Sequence, residues 1–160
     1  MVQRDRAGRT PLHYAVIDPP VGVRHVPSRI HPGLAARNGG VSRDYRVART
    51  RRLLGEGADV NAADEQGMTP LHFAVQRDCV EVVGLLLDAG ARVDAADVRG
   101  ETPLYKAVRA QITDAKVPII AVLRAYGADP TIQTATGSSA LRYVSRLGSP
   151  EERAVFGDLL

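Results

Sequence analysis

The stretch Gly67-Met68-Thr69-Pro70-Leu71-His72 decides the fold, because it returns along the chain at a regular interval. It recurs 33 residues later as Gly100-Glu101-Thr102-Pro103-Leu104-Tyr105 and is preceded by an earlier copy, Gly8-Arg9-Thr10-Pro11-Leu12-His13. A degraded copy, Gly137-Ser138-Ser139-Ala140-Leu141-Arg142, follows near the end of the chain. Internal repeats of about 20–50 residues are typical of solenoids and related arrays. The chain is therefore predicted to be built from repeated structural units.

A second motif runs in step with the first. It reads Gly57-Ala58-Asp59-Val60-Asn61, then Gly90-Ala91-Arg92-Val93-Asp94, and finally Gly127-Ala128-Asp129-Pro130-Thr131. Its copies are separated by 33 and then 37 residues, and the corresponding copies of the first motif show the same two intervals. Two different motifs that keep one spacing indicate a single structural unit.

The unit can be read as a pair of helices. Thr69 is a good N-cap and Pro70 is tolerated at the first helical position, so a helix is predicted to begin there. Residues 80–87 form a second helix that is apolar nearly all round, which favours burial between neighbouring units. Gly90 ends this helix, and an extended loop leads to Gly100. Helices this short need stacking against their neighbours for stability.

At this point the chain resembles the ankyrin-repeat family, whose signature is T-P-L-H-x-A on a period of about 33 residues. Thr69-Pro70-Leu71-His72-Phe73-Ala74 and Thr10-Pro11-Leu12-His13-Tyr14-Ala15 match the signature fully, and the third copy departs only at Tyr105. The resemblance covers about residues 5–160. It implies an all-α solenoid of about four helix-turn-helix repeats with short β-hairpin-like fingers, forming one domain over residues 1–160.

The predicted repeats occupy residues 5–61, 64–94, 97–131 and 134–160. The first repeat is too long, because Thr10 and Thr69 are 59 residues apart, 26 more than one period. We predict an insertion at residues 18–41, which is rich in proline and glycine, with the second helix resuming at about Ser42. The last repeat is predicted to be a cap, since Ser149 and Glu152 fit a capping box.

Composition is that of a soluble globular protein. Of the 160 residues, 44% are hydrophobic and 24% are charged, and no apolar run approaches the roughly 18 residues of a membrane span. The charged N-terminus predicts no signal peptide, and the single cysteine favours a reducing compartment. Arginine outnumbers lysine 19 to 2, which is typical of GC-rich coding. We therefore expect a cytoplasmic, bacterial protein.

The histidines and the cysteine are the residues most easily mistaken for catalytic groups. The resemblance implies that His13 and His72 hydrogen-bond backbone near the turn and join adjacent repeats. His25 and His31 lie in the insertion without further metal ligands nearby. Cys79 begins the second helix of repeat two, where modest reactivity competes with the ordinary interpretation of a small half-buried residue. We predict no catalytic residue, metal site or cofactor, and hence no enzyme.

The partner expected from the resemblance is another protein, bound on the concave surface of the solenoid. In this family the finger tips and the exposed side of the first helix vary freely. The corresponding positions mix acids, arginine, amide and apolar side chains, which favours a protein over nucleic acid or a small molecule. They are Arg6, Arg9, Glu65, Gln66, Met68, Gln76, Arg77, Val98, Arg99, Glu101 and Arg109. A bacterial immunity or regulatory partner that holds one target fits this description.

The alternative is an adaptor that associates with nucleic acid or another polyanion through the arginine-rich segment 24–52. From residue 19 to residue 52 the chain has eight arginines and one acid, Asp44, a net charge of +7. Arg43, Arg46 and Arg49 recur at helical spacing, which is also typical of a solvated helix face. The chain has only seven Phe and Tyr and no Trp to stack on bases, which disfavours this alternative.

Overall fold

The computed structural model describes residues 4–17, 35–77, 79–110, 114–157 and 159. Within them the chain forms helices joined by turns, and these described ranges contain no β-strand. The helices are α1 Pro11–Ile17, α2 Ala35–Gly55, α3 Pro70–Ala74, α4 Val80–Asp88, α5 Pro103–Arg109, α6 Lys116–Ala125, α7 Ala140–Leu147 and α8 Pro150–Val155. The prediction of an all-α ankyrin solenoid is confirmed.

The helices stack in two layers. The first helices of successive repeats contact one another in the order α1, α3, α5, α7, and the second helices follow in the order α2, α4, α6, α8. Each first helix also packs against the second helix of its own repeat. The leucine of the signature, Leu12, Leu71 or Leu104, is fully buried in each of the first three repeats. One core therefore runs through the described helices, continued between the layers by Leu86 and Ile120.

Local chemistry explains where the helices start and stop. Thr69 and Thr102 stand in extended backbone immediately before the proline that opens α3 or α5. Gly90 follows α4 with a φ of 87°, a left-handed conformation that glycine adopts without a Cβ clash. Ser149 and Glu152 form the predicted capping box at the start of α8, each side chain accepting a backbone N–H of the other residue.

The predicted start of the second helix in repeat one was wrong. Helix α2 begins at Ala35, whereas the sequence predicted a loop over residues 18–41 and a helix from about Ser42. Gly39 and Gly40 lie inside the helix. A glycine in a helix interior costs only about 1 kcal/mol relative to alanine, which a helix of 21 residues packed on α1 and α4 can offset. The remainder of the predicted insertion, residues 18–34, lies outside the described part of the chain.

None of the helices in the described ranges is both long enough and apolar enough to cross a membrane.

Candidate partner-binding face

A tight turn precedes the first helix of each repeat, and in the first three repeats an aspartate holds it closed. Asp64 Oδ1 accepts the backbone N–H groups of Gln66 and Met68, both at 2.9 Å. Asp97 Oδ1 accepts those of Arg99 and Glu101 at 2.8 and 3.0 Å in the same way. These turns are the fingers of the fold. These aspartates were not among the predicted site residues, although each stands three residues before the glycine of its motif.

Hydrogen bonds also join each finger to the next. The backbone N–H of Glu65 donates to the Ala7 carbonyl at 2.9 Å, and that of Val98 donates to the Gln66 carbonyl at 3.0 Å. The N–H of Ala135 completes the series by donating to the Arg99 carbonyl at 2.8 Å. Four fingers therefore form one continuous, hydrogen-bonded edge. We call the surface made by this edge and the exposed side of α1, α3, α5 and α7 the finger face.

His72 ties the finger of the next repeat to its own helix. Its Nδ1 accepts the Thr69 backbone N–H at 3.0 Å, and its Nε2 donates to the Glu101 carbonyl at 3.1 Å. His13 makes the equivalent bonds to Thr10 and to the Met68 carbonyl, each at 3.0 Å. Both rings are fully buried, and this burial lowers their pKa. The structural role predicted for the two histidines is confirmed.

A cluster of five charged groups lies on the finger face of repeat three. Lys106 Nζ is 2.8 Å from Asp97 Oδ2 and 2.6 Å from Glu101 Oε2, and its side chain is only 5% exposed. Arg99 and Arg109 approach the same Glu101 carboxylate at 3.0 and 3.3 Å. Burial alone would raise the pKa of Asp97, but the hydrogen bonds from Lys106 and backbone amides outweigh it and hold the pKa below its usual value.

Repeat one carries a different cluster around Arg9. The Arg9 guanidinium pairs with Asp64 at 3.3 Å and lies over the Phe73 ring, 5.1 Å from its centroid. The buried His13 ring meets the same Phe73 edge-on at 5.7 Å. Arg9 is therefore engaged across the boundary between repeats one and two.

Comparison with known proteins agrees with this geometry. A family model described as ankyrin repeats (three copies) matches residues 34–134, well over half of the chain. The chain belongs to the ankyrin-repeat family. Members of this family generally mediate protein–protein interaction and are generally not catalytic. A curated relative is an ankyrin repeat protein of Fowlpox virus (strain NVSL), 53% identical over 36 residues. That match covers 22% of this chain and only 8% of the length of the viral protein.

The ankyrin fingers place most of the predicted partner-binding residues at the surface. Glu101 departs most from the prediction, because 13% of its side chain is exposed and its carboxylate holds three cations. Arg9 and Met68 are half-buried. The exposed residues of the predicted set are Arg6, Glu65, Gln66, Gln76, Arg77, Val98, Arg99 and Arg109. Lys106 was not among the predicted residues, although the signature position that it occupies is aromatic in the other three repeats.

Four arginines of α2 divide between two surroundings. Arg43 pairs with Glu81 of α4, and Arg46 donates to the Arg77 carbonyl at 3.1 Å, so these two help to join repeats one and two. Arg49 and Arg52, with Tyr45, line an open cleft of about 470 Å³. The interpretation of a wholly solvated arginine face is thus incomplete.

The cysteine and the two remaining histidines are the other side chains considered for reactivity or metal binding. Cys79 is the N-cap of α4 and is 2% exposed, more deeply buried than expected. No cluster of three or more metal-binding side chains occurs among the described residues. His25 and His31 lie outside those residues.

Proposed function

We propose that this ankyrin-repeat protein binds a partner protein through the finger face. The observation that carries the proposal is the continuous hydrogen-bonded edge, which presents exposed side chains from consecutive repeats on a rigid support. A preorganised surface orders fewer groups on binding, so its contacts contribute more to affinity. Arg77, Arg99 and Arg109 are exposed there, and arginine is enriched among interface hot spots.

We also propose a domain organisation and a cellular location for the protein. We infer one domain over residues 1–160, with repeats at 5–61, 64–94, 97–131 and 134–160, because the described helices of successive repeats pack together. A bacterial cytoplasm is supported by the arginine-rich composition and by a buried, free Cys79. In such a cell the protein acts without cofactor or catalysis, as an immunity or regulatory partner that holds one target.

The second candidate is association with nucleic acid or another polyanion through segment 24–52. The cleft at Tyr45, Arg49 and Arg52 favours it, because two guanidiniums and a phenol can all donate hydrogen bonds to phosphate. Against it, Arg43 and Arg46 are already engaged with the second repeat. The part of this segment before residue 35 lies outside the described residues.

Capture from lysate of the native host, followed by mass spectrometry, distinguishes the two candidates. We expect a protein that is retained by the wild type and by Arg49→Ala/Arg52→Ala but lost with Arg77→Ala/Arg99→Ala. Each finger-face substitution should weaken binding by about 2 kcal/mol or more without changing the melting temperature. The α2 substitutions should mainly alter the association rate and its salt dependence.

The opposite pattern contradicts the proposal. Loss of the captured protein with the α2 variant, with the finger-face variant unaffected, would place the partner on repeat one. Retention on a heparin column that falls steeply with salt and depends on Arg49 and Arg52 would support the polyanion candidate instead.

A further inference from the structure

We infer that the finger face of repeat three receives a single carboxylate, the side chain of an acidic residue flanked by apolar residues in the partner. The inference rests on the proposed function and gives its partner a chemical character. It starts from the geometry of Arg99 and Arg109, whose guanidiniums lie 3.0 and 3.3 Å from the two oxygens of one carboxylate, that of Glu101. The two arginines are therefore held side by side.

The charges of the cluster leave one positive charge unmatched. Three cations, Lys106, Arg99 and Arg109, surround two carboxylates, Asp97 and Glu101. Lys106 and the two carboxylates are buried or nearly so, whereas the side chains of Arg99 and Arg109 are 65% and 51% exposed. The excess charge is thus carried by guanidiniums at the surface. One added carboxylate would neutralise it.

The neighbouring finger does not supply that carboxylate. The finger of repeat four, residues 134–138, has no charged side chain. On the other side, Glu65 is the exposed acid of the repeat-two finger, and the described contacts give it no ion pair to Arg99. Among the described contacts, the carboxylates that pair with Arg99 and Arg109 are therefore those of Asp97 and Glu101 alone.

The guanidiniums keep donors for such an anion. Arg99 uses Nη2 and Arg109 uses Nη1 toward Glu101, while each guanidinium has five N–H groups in a planar fork. Arg109 is held further by the Tyr105 ring, whose centroid is 5.4 Å from the guanidinium carbon. Side chains already fixed by such contacts lose less entropy on binding, and the fork matches a carboxylate.

Exposed apolar side chains distinguish a peptide from a polyphosphate. Val98, next to Arg99 at the finger tip, is 65% exposed. Leu147 is 72% exposed at the end of α7, the helix that packs beside α5, where Arg109 is the last residue. Exposed aliphatic groups on the same finger and on the helix next to α5 suit an acidic residue with apolar neighbours, whereas a phosphate backbone would leave them in water.

Selection from a library of random linear 12-residue peptides displayed on phage tests the inference with the full chain. We expect the enriched peptides to share one Asp or Glu flanked by apolar residues. By fluorescence anisotropy, Arg99→Ala and Arg109→Ala should each weaken the best peptide about tenfold or more, as should changing its acid to the amide. Arg99→Lys should weaken it less than Arg99→Ala, and Arg52→Ala should have no effect. Unchanged melting temperatures ensure that folding is not the cause.

Several results would overturn the inference, and they separate it from the proposed function. Peptides that need Arg77 or Val98 but contain no acid would refute the carboxylate and leave the finger face as the binding surface. Peptides that ignore Arg99 and Arg109 but depend on Arg49 and Arg52 would refute both. A selection that enriches nothing, or a 12-residue oligothymidylate that binds Arg99 and Arg109 more tightly than any peptide, would rule out a linear acidic segment.

Discussion

Replacing Lys106 with methionine is expected to lower the free energy of unfolding by about 3–5 kcal/mol, the usual cost of removing one partner from a buried ion pair. Methionine has a similar length but no charge, so Asp97 and Glu101 would remain buried without the ammonium that lies 2.8 and 2.6 Å away. The two carboxylates would then share one site with only the largely exposed Arg99 and Arg109 to compensate them. Urea denaturation at pH 7, followed by circular dichroism at a helical wavelength, gives the change directly.

Arg109→Ala is the matched control for this prediction. Arg109 reaches the same Glu101, but its side chain is 51% exposed, and exposed pairs contribute only about 0–1 kcal/mol. Adding Glu101→Gln to Lys106→Met should recover part of the lost stability, because one of the two stranded charges is removed. A Lys106→Met variant as stable as the wild type would mean that Arg99, Arg109 and water, and not Lys106, compensate the two carboxylates.

The same arrangement recurs at the only other lysine of the chain. Lys116 Nζ lies 2.6 Å from Glu152 Oε1, both side chains are largely buried, and the pair joins α6 to α8. Both lysines of this sequence therefore lie in buried ion pairs, and all other basic side chains apart from the histidines are arginines. The lysine ammonium is a compact point charge and the guanidinium is a planar fork, so a Lys→Arg substitution at these sites is not conservative. A coding bias toward arginine does not by itself explain this distribution.

His72→Ala is expected to lower the free energy of unfolding by about 1–3 kcal/mol at pH 7, because the buried Thr69 N–H and Glu101 carbonyl lose their partner. The same residue should make stability depend on pH. Burial lowers the pKa of His72 in the folded protein, so the unfolded chain takes up the proton first as the pH falls. The contribution of His72 to the free energy of unfolding is complete above the pKa of about 6.5 that it has in the unfolded chain. This contribution is lost as the pH falls from there toward the pKa in the folded protein.

Urea denaturation at pH 7.5 and pH 5.5 measures both effects. Wild-type stability should fall between these values, and His72→Ala should show a smaller fall, since one of the two buried rings no longer titrates. His13→Ala/His72→Ala should show the smallest fall of the three. Equal pH dependence in wild type and variants would mean that the buried rings do not resist protonation.

Local signals explain why so much of the fold could be predicted. Thr69-Pro70 starts a helix and Gly90 ends one through their own backbone conformations, so these boundaries can be predicted without distant residues. The signature leucines recur at one position of the repeat, and that position is buried each time. The start of α2 at Ala35 could not be predicted this way. Helix α2 packs on α1 and α4, and packing of this kind can outweigh the helix-breaking tendency of Gly39 and Gly40.

In the candidate site, too, some features follow from local sequence and others depend on packing. Exposure of Arg77, Arg99 and Val98 follows from their positions in the repeat, and the sequence predicts it correctly. Glu101 occupies an equally variable position, but Lys106, five residues later, draws its carboxylate inward. The position of Lys106 in the signature shows that the residue is unusual. Its pairing with both Asp97 and Glu101 depends on how the finger folds back over α5.

Amide hydrogen exchange of the protein with and without its captured partner tests most directly whether the finger face is the binding surface. We predict slower exchange in the complex at the fingers, residues 64–68 and 97–101, and at the ends of the first helices around residues 76–77 and 109–110. Residues 43–55 of α2 should exchange at the same rate in both states. Protection confined to α2, with the fingers unchanged, would contradict binding at the finger face and place the partner on the arginine-rich helix.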